Sequence, residues 1–238
     1  MGGMTGLLLT SALGVAALNL YALLLVLARG PLFGTRLYRP MLLNIGLSVA
    51  PAGVLLLVAI LALVVVEVFP STFALWSLIV VGSVAWLTLL PNSAYLVTEL
   101  NFSHRREGEK VPLWFDIVMV LTLAMSGVIN TLANVALVQL LAVLVVAPNA
   151  QYPLHDPASW VAAVIALFLV ALGMYLGRYI RFNSWDLLRP GRFLRKLVGH
   201  FRQPGNSAAA VGFVLTHAVF LAILYAIVAA PTLLAILP

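Results

Sequence analysis

The stretch VPLWFDIVMVLTLAMSGVINTLANVALVQLLAVLVV, residues 111–146, decides how this chain folds. It holds one charged residue, Asp116, near its start. As a single helix it would be about 54 Å long, well beyond the roughly 30 Å hydrocarbon core of a bilayer. It reads either as one long crossing or as two crossings joined by a turn near Asn130 to Asn134. The cations choose between these. All 13 Lys and Arg residues lie in three short segments. Arg29, Arg36 and Arg39 form the first, and Arg105, Arg106 and Lys110 the second. Arg178, Arg181, Arg189, Arg192, Arg195, Lys196 and Arg202 form the third. Basic residues flanking membrane spans are retained on the cytoplasmic side. One crossing keeps all three segments on that side, whereas two would send the 181–205 connection outward. Residues 111–146 therefore read as one crossing over about 111–135, with Ala133 to Val146 tilted, kinked or lying against the outer interface.

Apolar runs of bilayer length place the remaining spans at about 5–28, 41–66, 73–98, 158–180 and 206–230, six in all. Connections 29–40, 99–111 and 181–205 are basic, while 67–72 and 147–157 carry Glu67 and Asp156 but no Lys or Arg. Both termini then fall outside. Composition agrees with this fold class. Of 238 residues, 63% are hydrophobic and only 8% charged, too few charges to cover a water-soluble surface. The expectation is an all-α polytopic membrane helical bundle, with residues 1–238 forming a single integral membrane domain. The first 28 residues lack a basic leader and read as a retained span rather than a cleaved signal.

The net charge of +6 suits the anionic headgroups of a cytoplasmic leaflet rather than nucleic acid. Membrane lipids are thus the expected partners, and the chain is silent on a protein partner or a homo-oligomer. The absence of Cys excludes disulfides and thiolate metal sites. No pair of His residues has ligand spacing and no phosphate-binding Gly-rich loop is present, so no metal and no cofactor are expected.

Two interruptions shape the basic side. Pro91 removes a helical hydrogen bond, and Asn92 is suited to capping a new turn, so Asn92 to Leu100 reads as a separate short turn. Pro190 and Gly191 break the chain after span five. Beyond them Phe193, Leu194, Leu197, Val198 and Phe201 share one helical face, and Arg192, Arg195, Lys196 and Arg202 lie mostly elsewhere. Residues 192–202 therefore read as an amphipathic helix in the interface plane.

Polar residues in so apolar a chain mark its informative places. They gather in residues 90–99, 111–116 and 173–186, which the topology puts at the cytoplasmic ends of spans three, four and five. Arg178 and Arg181 are three apart and share a helical face. Guanidinium groups bind phosphate or carboxylate through paired hydrogen bonds. The expected site holds an anionic lipid headgroup or a small anion with Arg178 and Arg181, aided by Asn92, Tyr95, Tyr179, Asn183 and Asp186. Asp116 or Glu99 would accept a proton or orient the arginines, and these two are the catalytic candidates should the protein be an enzyme. The structural alternative is that Asp116, Asp186, Arg178 and Arg181 pair internally and lock three helix ends. On span four, Asp116, Gly127, Asn130 and Asn134 fall within about 60° of one another. Such a face either lines a substrate path or marks close helix packing. Trp114, Trp185, Tyr175 and Tyr179 read as an interfacial aromatic belt, and His217 as a hydrogen-bonded core residue or a proton relay.

Three motifs also carry a family resemblance. Leu90-Pro91-Asn92 with Tyr95, Pro112-x-Trp114-x-Asp116, and Gly177-Arg178-x-x-Arg181-x-Asn183-Ser184-Trp185-Asp186 resemble the bacterial membrane-protein family catalogued as domain of unknown function 1361. The likeness covers roughly residues 80 to 230, and the third motif is the most specific. It implies a multi-spanning protein of a bacterial cytoplasmic (inner) membrane and no activity. Enzyme, transporter and structural subunit all remain open.

Overall fold

The computed structural model describes residues 2–101, 108–146, 154, 156–180 and 190–236. These form helices, with no strand among them. In chain order they are α1 (Gly2–Phe33), α2 (Arg39–Glu67), α3 (Thr72–Ala94) with a tighter 3-10 continuation Tyr95–Asn101, and α4 (Leu113–Val146). Then come α5 (Pro157–Tyr175) with a wider π turn Leu176–Ile180, and α6 (Pro190–Phe201). Last are α7 (Asn206–Leu224), a second π turn Tyr225–Ala229, and α8 (Ala230–Ile236). Six helical stretches are long and apolar enough to cross a membrane: Thr5–Phe33, Arg39–Glu67, Thr72–Thr98, Leu113–Val143, Pro157–Ile180 and Asn206–Ile236. They correspond one for one to the six spans expected from the sequence.

Local chemistry sets where the helices start. The Ser71 hydroxyl accepts the Ala74 N–H at 3.2 Å and caps α3. Asp156 does the same for α5 through the Ala158 N–H at 2.9 Å, with Pro157 as the first helical residue. Gly205 makes the turn into α7 at φ 86, a left-handed conformation that favours glycine.

Residues 113–146 form one unbroken helix. Asn130 and Asn134 do not supply the turn that would split it. Asn134 Nδ2 instead donates to the Asn130 carbonyl one turn back at 2.8 Å, and the Thr131 hydroxyl donates to the Gly127 carbonyl at 2.8 Å. Their polar groups are used inside the helix and against its neighbours.

The expectation at Pro91 needs correction. Asn92 does not cap a new helix, because α3 continues through Asn92 and Ser93 to Ala94. Proline at 91 costs only its own N–H, and the Tyr95 N–H still closes on the Pro91 carbonyl. The chain then tightens over Tyr95–Asn101 without leaving the helix. Pro231 is accommodated differently. The π turn Tyr225–Ala229 lies just before it and widens the helix where the proline ring would crowd the preceding turn.

The chain forms two compact units, Met1–Asn134 and Val135–Pro238. In the first, α2 packs along α3 so closely that a Cβ at Gly82 would overlap the Val58 side chain. Its core joins Ala22 and Val26 of α1, Met41 and Ile45 of α2, and Leu96, Phe115, Met119 and Leu123. In the second, α5 packs on α7 through Ala171, Tyr175, Ala210 and Val214. Exposed Leu43, Leu63, Val81, Val164 and Ile227 give both units the outward apolar surface that lipid requires.

Gly82→Ala is expected to destabilise the protein by about 1–3 kcal/mol through overpacking. Val58→Ala in the same chain should recover part of that loss. Thermal unfolding followed by tryptophan fluorescence in detergent checks both.

Candidate functional site

Charge inside the first unit centres on Arg29, near the end of α1. Its residue is only 5% exposed and Asp116 is fully buried. Arg29 Nε donates to Asp116 Oδ1 at 2.9 Å, and Nη2 donates to Glu109 Oε2 at 2.7 Å. Nη1 reaches the Thr35 hydroxyl at 3.3 Å, and that hydroxyl donates back to the Arg29 carbonyl at 3.2 Å. A buried guanidinium needs such partners, and its planar fork serves two carboxylates at once. Asp116 lies in the first turn of α4, where the helix dipole favours negative charge.

Farther along α4, Asn130 is the hub of a second polar cluster. Asn130 and Asn19 donate to each other through their amides at 2.8 and 2.9 Å. Asn130 Nδ2 also donates to Ser48 Oγ at 2.8 Å. The Ser93 hydroxyl donates to the Ser48 carbonyl at 2.7 Å, and Trp86 Nε1 donates to Asn134 Oδ1 at 3.2 Å. One polar face of α4 is thus bonded to α1, α2 and α3. Gly127, on the same face, lets α3 approach. A Cβ there would sit 2.6 Å from the Ser93 carbonyl oxygen and 2.7 Å from Leu96 Cβ.

In the second unit the ends of three helices meet in a knot. The Tyr175 hydroxyl lies 2.8 Å from His200 Nε2 and donates to the Asn206 carbonyl at 3.2 Å. Asn206 Nδ2 donates to the His200 carbonyl at 2.9 Å. Tyr179 and Phe201 both stack on Tyr175, with ring centroids 4.7 and 6.3 Å away. Tyr175 is therefore not a belt residue, because its ring is buried in this aromatic cluster. Tyr179 and Trp114 are exposed. The same unit buries a smaller cluster, in which Gln139 Nε2 donates to Ser159 Oγ at 3.2 Å and the Tyr225 hydroxyl donates to Gln139 Oε1.

The sequence-derived site residues fall as follows. Asn92 and Tyr95 are half-buried at the end of α3 and the start of its 3-10 continuation, which also contains Glu99. Asp116 is brought to Arg29 and Glu109, neither of which the sequence had suggested as its partner. Arg178 is exposed in the π turn after α5. Arg181, Asn183, Asp186 and Trp185 lie outside the described residues. Asn92, Tyr95 and Asp116 belong to the first unit and Arg178 to the second. Arg178, Arg192, Arg195 and Arg202 make no ion pair among the described residues, unlike Arg29. His217 Nδ1 donates to the Phe213 carbonyl at 2.9 Å, and its ring stacks on Phe213. Among the described residues, no group of three or more His, Asp or Glu is placed to hold a metal ion.

Arg29 was legible only as a topological marker. A finer signal lay in its spacing, since Asn19, Ala22, Val26 and Arg29 recur at three and four residues along one helical face.

The family described as "Protein of unknown function (DUF1361)" matches residues 44–224. That match begins inside α2, upstream of the three motifs. No curated protein and no solved structure matches the chain.

Removing one partner of the buried ion cluster should cost about 3–5 kcal/mol. Arg29→Met is expected to lower the unfolding temperature sharply. Adding Asp116→Asn and Glu109→Gln to that variant should restore part of the loss. Size-exclusion profiles and thermal unfolding of the three proteins check this.

Proposed function

Taking as premise that this chain belongs to the DUF1361 family, a membership that assigns no activity, we propose that it binds an anionic lipid headgroup or small anion where α5 ends. The observation that carries this reading is Arg178, exposed and without an ion pair among the described residues. The helix packed against its turn, α6, adds Arg192 and Arg195, and Arg202 follows. Exposed guanidinium groups carried by one unit, without ion pairs among the described residues, suit recognition of phosphate or carboxylate. Arg181, Asn183 and Asp186, the other sequence-derived candidates of this segment, follow Arg178 in the chain and lie outside the described residues. Asp116, engaged by Arg29, serves in this reading to orient an arginine rather than to take a proton.

Orientation follows from the cations. Segments 29–40, 99–111 and 181–205 face the cytoplasm of a bacterial cell and both termini face outward. The transport reading is weaker than at the sequence level. The polar face of α4 is taken up by hydrogen bonds to three other helices, which is the signature of helix packing. The same observation favours the second reading, a structural or partner-binding membrane subunit, for the first unit.

Lipid mass spectrometry of purified wild type and Arg178→Ala tests the site. Anionic lipid should fall severalfold in the variant, and equal content in both would sink the headgroup reading. Orientation has its own test, made clean by the lack of native Cys. A cysteine at Phe69 should react with an impermeant maleimide in intact cells, and one at Lys110 should react only after lysis. The reverse pattern overturns the orientation.

A further inference from the structure

We propose that α6 reads the charge of the bilayer surface: it lies in the interface plane with Leu194 and Val198 among the acyl chains and its arginines at anionic headgroups. This rests on the anionic-ligand reading above and names the source of the anion as lipid. Three arcs of the helix support it. Phe193, Leu197, His200 and Phe201 are half-buried and face the protein, held there by the Tyr175–His200 hydrogen bond and the aromatic cluster. Leu194 and Val198 are exposed. At about 100° per residue they lie at one edge of that buried face. Arg202 and Arg195 come next around the helix, followed by Arg192, all three exposed and without ion pairs among the described residues. The order around the helix is thus protein, open apolar edge, cations.

Two neighbouring exposed aliphatic side chains bordered by arginine gain more at a bilayer surface than in water. A helix lying at a membrane surface needs this sequence of arcs, with apolar groups below and cations level with phosphate. The segment Pro190–Arg202 carries no Asp or Glu that would repel anionic lipid. At 12 residues, about 18 Å, α6 is too short to span a bilayer. Its chain neighbours α5 and α7 both belong to stretches long and apolar enough to do so. That arrangement keeps α6 close to a membrane surface whatever else it touches. A small soluble anion would satisfy the arginines and leave the apolar edge uncovered, whereas a lipid leaflet covers both.

The experiment uses the full chain, with single cysteines placed at Leu194, Val198 or Arg195 and labelled with an environment-sensitive fluorophore. Each is reconstituted alone into vesicles of phosphatidylcholine with or without phosphatidylglycerol. Labels at 194 and 198 should be shielded from an aqueous quencher severalfold better than the label at 195. Phosphatidylglycerol should increase that shielding, and high salt should reduce the increase. Arg192→Ala, Arg195→Ala and Arg202→Ala combined should abolish the response to phosphatidylglycerol in the Leu194 label. Equal quenching at all three positions, or shielding indifferent to phosphatidylglycerol, overturns the proposal, and the edge is then covered by a protein partner. The outcome is separable from that at Arg178. A full α6 response in a protein whose copurified lipid is unchanged by Arg178→Ala upholds the interfacial helix and sinks the site at the end of α5.

Discussion

A guanidinium group enclosed by apolar helices cannot exist without anions beside it, and the first unit is arranged around that requirement. Arg29 is supplied by α1, Asp116 by the first turn of α4, and Glu109 by the segment leading into α4. Desolvating three charges is unfavourable, and their mutual attraction offsets this only when the geometry is good. The cluster is therefore a weak source of net stability and a strong source of specificity. It fixes where α1 ends against α4, and a shift of either helix by one turn would strand a charge. The Asn130 hub extends the same logic, since Asn19 on α1 and Ser48 on α2 each meet one amide. Helices whose remaining contacts are among interchangeable aliphatic side chains acquire one register.

Among the described residues, two kinds of arginine occur that composition does not separate. Arg29 is internal and neutralised. Arg178, Arg192, Arg195 and Arg202 are exposed and make no ion pair among the described residues. Both kinds count equally toward the positive-inside pattern, because insertion responds to charge in the unfolded segment. Only the folded chain reveals which of them remain available to a ligand. That distinction moves attention from the three-motif site toward the end of α5 and the helix that follows.

Much of the fold was legible because membrane solvation is a blunt constraint. Twenty or so apolar residues must be helical in lipid, so the six spans follow from composition and length. The unity of α4 followed from charge alternation, although its reach to Val146 did not. Pro91 misled, since a proline's cost falls on one hydrogen bond and packing at Ser93 and Leu96 carries the helix past it. The site was less legible. Asp116 and Asn130 stood out as polar residues in an apolar run, yet their partners Arg29, Asn19 and Ser48 lie 87, 111 and 82 residues away. Helical periodicity says which face a residue occupies and nothing about which distant face it meets.

The π turn Tyr225–Ala229 has a consequence for how the final span keeps its face. Buried Leu221, Tyr225, Ala229 and Leu233 follow one another at steps of four. On an ideal α-helix each such step advances about 40° beyond a full rotation, so the row would wind progressively off the contact surface. The wider π turn advances less per residue and so offsets part of that drift. The irregularity thus works as a vernier, keeping a repeat that does not fit the helical pitch closer to one side of the span.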